Sequence, residues 1–458
     1  MGVKKTGDTI NGKLRYFVLD MQARPLNNAY AATKSMKAIA NIKNGMMSRR
    51  WIIFILATSH FFLSQFYRTS NAVIAPELIR DLSLDTQGLG LLSASFFYGF
   101  ALTQIPISVL LDKVGPRWMM TVLSLLGILG ALIFSMADSL GIGLVGRVLL
   151  GIGMACNLMG TFKLLTDWFE PLIFATLIGV VASIGTFGNM IAATPLVMLV
   201  EQMGWRHSFQ LIAGINLILT LTFFVVVHDR PSRPSIRTSS REPSISMKQA
   251  FLNLGLLLKN GNYWIISVAT FVRYGTFAAF QALWAGPFLI EVMGYSAIST
   301  GNLILLMNMG VIMGSPLWGA LSDRVFKTRR GLIFFCLLCL ALIYLILVSI
   351  SPGTRPGVMM PIFFAFGLIS SGGLLMYPHI KDLMPTEMAG AAMTSVNFFN
   401  MLGPAVFLQG LGILMQRLYP DASRGPAAFD AVFWVCMASL LAAAVLYSFT
   451  KEKSSISF

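Results

Sequence analysis

Residues 61–76 read FFLSQFYRTSNAVIAP, with Arg68 in the middle of a run otherwise apolar enough to cross a bilayer. An arginine at the centre of a membrane helix costs about 2.5–3.5 kcal/mol on insertion scales. Such residues face protein or a water-filled cavity and find an anionic partner there, so Arg68 is a candidate functional residue from the outset. Residues 271–287, FVRYGTFAAFQALWAGP, repeat the arrangement with Arg273.

The rest of the chain has the same character. Of its 458 residues 56% are hydrophobic and 12% charged, against about 25% charged in soluble domains, which excludes a soluble globular protein. Runs near the ~20 residues that span a bilayer recur twelve times, at 51–76, 89–111, 117–136, 140–166, 173–199, 208–228, 263–290, 297–320, 331–350, 357–380, 389–415 and 427–449. Each span must close its own backbone hydrogen bonds, so the expected fold class is an all-α membrane protein of twelve transmembrane helices.

The net charge of +15 reports topology. With both termini cytoplasmic, 25 of the 34 Lys and Arg fall in cytoplasmic segments or at their edges, as the positive-inside rule requires. No nucleic-acid partner is needed to explain it. Cys156, Cys336, Cys339 and Cys436 all lie in spans without His or carboxylate neighbours, so neither a disulfide framework nor a metal site is expected, and no cofactor. Residues 1–50 hold ten Lys or Arg and no signal-peptide core, and read as a disordered or surface-lying basic cytoplasmic extension. Met47 would serve equally as a start.

The two halves repeat. At an offset of 211 residues, Ala75–Ile79 faces Gly286–Ile290, Gly90 faces Gly301, Gly99 faces Gly310, Asp112 faces Asp323 and Asn189 faces Asn400. The arginines need 205, a six-residue shift within one helix. Two six-helix halves follow, 51–228 and 263–450, joined by a cytoplasmic linker at 229–262 whose opening, DRPSRPSIRTSSREPS, cannot form a packed core. A cytoplasmic tail occupies 451–458.

Between helices 2 and 3 stands SVLLDKVGPR (108–117), and between helices 8 and 9 GALSDRVFKTRR (319–330). These resemble the cytoplasmic loop motif G-x-L-a-D-r-x-G-r-r of the major facilitator superfamily, and the resemblance covers everything after about residue 50. It implies two pseudo-symmetric six-helix halves and a latching role for Asp112, Arg117, Asp323 and Arg324; read alone, these are solvated loop charges that anchor topology. Gly146-Arg147 through Gly151 and Gly153 is similar to the family's R-x-x-x-G-x-G motif. The glycines permit close helix contact, and Arg147 either bonds helix-end carbonyls or takes part in coupling. Helix 5 lacks the G-P-x-x-G-G signature of drug/proton antiporters.

On helix 1, His60, Ser64, Arg68 and Asn71 form one stripe at 3.6 residues per turn, and on helix 7 Arg273, Gln281 and Trp284 do the same. Lipid would solvate neither stripe, so both are expected at a shared midplane cavity. Two guanidiniums converging there repel each other unless an anion lies between them, and the guanidinium fork suits carboxylate or phosphate. Of the 19 Asp and Glu none stands at a helix centre, so the interior charge is unbalanced and positive.

Tyr67-Arg68 followed by Asn71 and Pro76, and Arg273-Tyr274 followed by Trp284 and Pro287, resemble helices 1 and 7 of the organophosphate/phosphate antiporters, where paired arginines hold the phosphate. Lys163 resembles a basic position on those proteins' exit path, or is a snorkelling interfacial lysine. The organic-anion symporters carry acids in helices 1 and 4, whereas Tyr67 stands beside Arg68 here, which speaks against carboxylate-based proton symport. His60 titrates near neutral pH when unperturbed, or is a hydrogen-bonded structural residue. Gln104, Asn189, Asn308, Tyr377, Asn397 and Asn400 are further cavity candidates, or interhelical bonds. The expectation is a monomeric inner-membrane carrier, not an enzyme, moving a small organic anion by alternating access and exchange. The alternatives are a transporter-like sensor, or a carrier of a non-anionic solute such as a drug or siderophore.

Overall fold

The structure, a computed structural model, describes residues 29–169, 171–229 and 257–452. Residues 1–28 of the expected extension, 230–256 of the expected linker and 453–458 of the expected tail lie outside them. By its contacts the chain forms two units, Met1–Phe54 and Ile55–Phe458. In the first, the described residues from Ala29 onward are helical; the second contains the bundle.

Each of the twelve expected spans falls on helix. We label them α1 (Ala29–Thr69, resuming as Asn71–Leu82), α2 (Thr86–Val114), α3 (Pro116–Ser135), α4 (Leu140–Met154 and Asn157–Trp168) and α5 (Pro171–Ile191). Thr194–Val226 is two helices joined across Gly204, whose φ of 76° breaks the helical path; the part before it completes the fifth span and the part after it is α6. The second half comprises α7 (Gly261–Ala279, continuing through π turns to Val292), α8 (Ala297–Ala320), α9 (Arg330–Val348), α10 (Pro356–Ser370, then Met376–Leu383), α11 (Thr386–Leu418) and α12 (Pro426–Tyr447).

Local chemistry explains several of the boundaries. Proline opens α3, α10 and α12 at the first turn, where its missing N–H is not needed. Asp85 caps α2 by accepting from the Gly88 N–H, and Asn260 caps α7. Eight of the described helical runs are long and apolar enough to cross a membrane, those of α3, α4, α6 and α8 to α12. In α5 the helix runs over Pro171–Ile191, and α1 and α7 are diluted by interior polar side chains, among them His60, Arg68, Arg273 and Gln281.

The halves repeat one packing scheme: α2 on α4 and α3 on α6 in the first, α8 on α10 and α9 on α12 in the second. The glycines of the Arg147 motif act as expected, since a Cβ at Gly151 would lie 2.0 Å from the Phe96 carbonyl on α2 and one at Gly153 2.3 Å from Gly127 Cα on α3. The halves meet through α2 and α11, α5 and α8, and α1 and α7. Hydrogen bonds across this seam gather toward the loops that follow odd-numbered helices: Thr86 with Ser423 at 2.6 Å, Tyr98 to Gln409 at 2.7 Å and Thr194 to Asn302 at 2.7 Å. At the opposite face, formed by the loops after even-numbered helices, Arg117, Arg329 and Arg330 bond within their own halves.

Candidate functional site

Arg68 comes from α1 and Arg273 from α7, and both are almost wholly enclosed, at 7% and 4% exposure. They meet at one side chain. Arg68 Nη1 donates to the Tyr274 hydroxyl at 3.0 Å, while the Arg273 guanidinium carbon lies 5.3 Å from the centre of the same tyrosine ring. Arg68 also packs against Phe100 and Phe97, at 5.2 and 5.9 Å from the ring centres. Arg273 Nη1 donates to the Ser370 carbonyl at 3.0 Å and Nη2 to Asn400 Oδ1 at 3.3 Å. Tyr377, within electrostatic range of both arginines, donates to Asn397 at 2.8 Å.

Neither arginine has a carboxylate partner among the described residues, whose ion pairs involve Arg80, Arg206, Arg329 and Arg424 instead. Arg68 Nε and Arg273 Nε are buried and unbonded. What Arg273 has is the Ser370 carbonyl, a neutral acceptor where α10 passes from α-helical to 3-10 turns. The guanidinium is therefore oriented by protein while most of its positive charge remains available to an anion.

The other candidates on these helices do not join the cluster. His60 is fully buried, with ring nitrogens at the Leu56 carbonyl and the Thr220 hydroxyl; Ser64 donates to the Met154 carbonyl and Asn71 to Ser93. The helix 1 stripe thus faces its own half everywhere except at Arg68. Tyr67 is buried against Phe209. Gln104 donates to the Ala155 carbonyl, exposed where α4 is interrupted. On α7, Gln281 donates to Asn308, and Trp284 packs where a Cβ on Gly90 or Gly412 would come within 3.3 Å of it. Asn189 accepts from Thr69 at 3.3 Å, so Asn189 and Asn400, matched by the repeat, each reach the first helix of their own half. Lys163 is half-buried on the second segment of α4.

Arg147 is fully buried, donates to the Tyr67 carbonyl at 3.0 Å and lies over Phe96 and Phe134. Tyr67 lies one turn before Ser70, whose hydroxyl donates to the same carbonyl, so this arginine too is held by a neutral backbone acceptor. At the even-loop face, the Asp112 side chain lies outside the described residues. Arg117 donates through Nε and Nη2 to the Phe224 carbonyl, and its backbone N–H to Asp229. Asp323 sits 3.7 Å from Arg329, which pairs with Asp382 at 2.5 Å; Arg324 is exposed. Sequence reasoning passed over Arg329 as a hub, although it stands within the quoted loop motif.

Residues 56–408 match the Major Facilitator Superfamily. The chain belongs to the Major Facilitator Superfamily. It is therefore a transporter rather than an enzyme, and the loop and α4 motifs above are its versions of the superfamily's own. It is 23% identical to a probable sulfoacetate transporter of Cupriavidus necator, over 82% of this chain and 89% of that one. It is 22% identical to a probable galactarate/D-glucarate transporter of Escherichia coli (80% and 86% covered) and 25% identical to a hexuronate transporter of Bacillus subtilis (74% and 82%). Among solved superfamily structures, a D-xylose–proton symporter superposes with a TM-score of 0.69 at 14% identity, covering 87% of this chain and 97% of that one, which bears on fold alone.

Proposed function

We propose that this protein is a secondary active transporter that carries a small organic anion, a carboxylate or phosphate ester, across the bacterial inner membrane by alternating access and exchange. The observation that carries the reading is the convergence of Arg68 and Arg273 on Tyr274 with no acid beside either among the described residues. Two guanidiniums with unspent donors suit a solute with one or two anionic groups. The relatives named above support this, because sulfoacetate, glucarate and hexuronate are all organic anions.

With the even-loop face cytoplasmic, as the placement of Lys and Arg favours, the seam at the odd-loop face closes the outside while the arginines await solute from within. The solute neutralises the arginines, the halves rock about it, and the ion pairs of Arg329 on the cytoplasmic side rearrange. An empty site would leave two cations facing each other during the return step, so a counter-anion is favoured on the way back.

Proteoliposome counterflow tests this. Vesicles loaded with D-glucarate, glucuronate, sulfoacetate or a hexose phosphate are expected to accumulate the labelled form of at least one of them, and Arg68→Ala or Arg273→Ala to abolish the uptake. Uptake that persists in either variant would remove the proposed site. Joining Thr86→Cys to Ser423→Cys by a disulfide across the 2.6 Å contact of their hydroxyls is expected to stop exchange until reductant is added.

A further inference from the structure

The turn Ser371–Leu375 interrupts α10 at the level of Arg273. A Cβ at Gly373 would lie 2.2 Å from Arg273 Nε, 2.3 Å from Cζ and 2.8 Å from Cδ, so the guanidinium rests directly on the backbone of this turn. At this change of pitch the Ser370 carbonyl accepts from Arg273 Nη1. Gly373 is not among the residues with positive φ, so alanine could adopt its backbone conformation. Only the space matters.

The turn itself has little room to yield. A Cβ at Gly314 of α8 would come within 2.3 Å of Ser371 Oγ and 2.4 Å of the Leu368 carbonyl, and Trp318 Nε1 donates to that same carbonyl at 2.7 Å. On the α9 side, a Cβ at Gly372 would come within 2.4 Å of Cys336 Sγ. A group added at residue 373 must therefore displace the flexible side chain of Arg273 rather than the backbone.

We infer that Gly373 is a positioning residue for Arg273: it lets the guanidinium lie flat on the interrupted α10, against the Ser370 carbonyl and Asn400, with its remaining donors turned toward the anion. This rests on the reading that Arg273 holds the transported anion, and the experiment separates the two. Gly373→Ala is expected to fold with thermal stability lowered no more than in Arg273→Ala, because the clash is relieved by one side chain. It is also expected to move the guanidinium off the Ser370 carbonyl.

Two measurements on the full-length protein read this out. The first is the rate at which phenylglyoxal modifies Arg273, followed by peptide mass spectrometry, which is expected to rise about tenfold as the group leaves its enclosed seat. The second is D-glucarate counterflow, in which KM is expected to rise about 10- to 100-fold, the cost of a misplacement near 1 Å, with the maximal rate within about twofold. Unchanged modification and unchanged KM in Gly373→Ala would overturn the inference. Faster modification with unchanged KM would uphold the positioning and refute the anion role of Arg273. If Gly373→Ala fails to fold, Gly373→Ala combined with Arg273→Ala, which removes every atom the added methyl strikes, should fold, and failure of both would overturn the inference as well.

Discussion

Arg68 and Arg273 stand on corresponding helices of the two halves, yet the protein holds them by different means. Arg273 is fixed by two directional bonds, to the Ser370 carbonyl and Asn400, and lies on the bare backbone at Gly373. Arg68 has one described bond, to Tyr274 across the seam, and is otherwise embedded in the phenylalanines of α2. The six-residue shift between their repeat positions corresponds to about 9 Å of helix rise, so the two reach Tyr274 from different heights. The difference teaches that pseudo-symmetry supplies the scaffold while the site is asymmetric. In the proposed transport cycle, one arginine is preorganised and the other follows the opposite half as the seam opens.

The same comparison shows how buried arginines can remain charged without acids. Arg147 and Arg273 each bond a carbonyl at a helix interruption, at Tyr67 in α1 and Ser370 in α10. A carboxylate would bind the guanidinium as a full counter-ion; a neutral carbonyl orients it without cancelling its charge. The most damaging change to the site is therefore the addition of an acid. Asn400→Asp places a carboxylate where an amide oxygen now lies 3.3 Å from Arg273 Nη2. It is expected to abolish anion counterflow while preserving or raising the melting temperature, and full activity in this variant would break the account of Arg273.

A smaller and more discriminating effect is expected from lysine. Arg273→Lys loses a planar fork that makes two directional bonds, and kcat/KM is expected to fall about 100-fold. Arg68→Lys loses one bond and retains its apolar seat, and is expected to cost about tenfold. Equal losses would remove the distinction between a preorganised and a mobile arginine. Smallest is Tyr274→Phe, which deletes the hydroxyl that receives Arg68 but keeps the ring beneath Arg273. Loss of one hydrogen bond to a charged group is worth about 1.5–3 kcal/mol, or roughly 10- to 150-fold, and its replacement by the bound solute should bring the observed change in KM to the lower end of that range. A larger loss than in Arg68→Ala would show that Tyr274 acts on more than Arg68.

Much of the fold was legible because a bilayer leaves few choices. Twelve apolar runs required twelve helices, and the repeat in glycine, proline and asparagine positions marked which helices correspond. The two arginines were legible for the same reason, as costly exceptions. The helix 1 stripe was harder to read. Periodicity assigns His60, Ser64 and Asn71 to the same broad face as Arg68, but α1 is enclosed by its own half, and that face borders α2, α4 and α6 before it reaches the seam. Which neighbour each side chain meets is a matter of packing that spacing alone does not encode. The Ser370 carbonyl and the space at Gly373 were hidden because both depend on where α10 is interrupted, and that point is set by contacts with α8 and α9. Arg329 stood in plain view within the loop motif, but its pairing with Asp382 depends on the end of α10 arriving beside it.

The claim at the centre is that both arginines hold one anion. It is tested most directly by a double-mutant cycle of D-glucarate binding to purified protein, comparing wild type, Arg68→Ala, Arg273→Ala and the double variant. If the two side chains share the solute, the losses are strongly non-additive, and the double variant binds no worse than the weaker single variant. Losses that simply add, or binding undiminished by either substitution, would contradict the account.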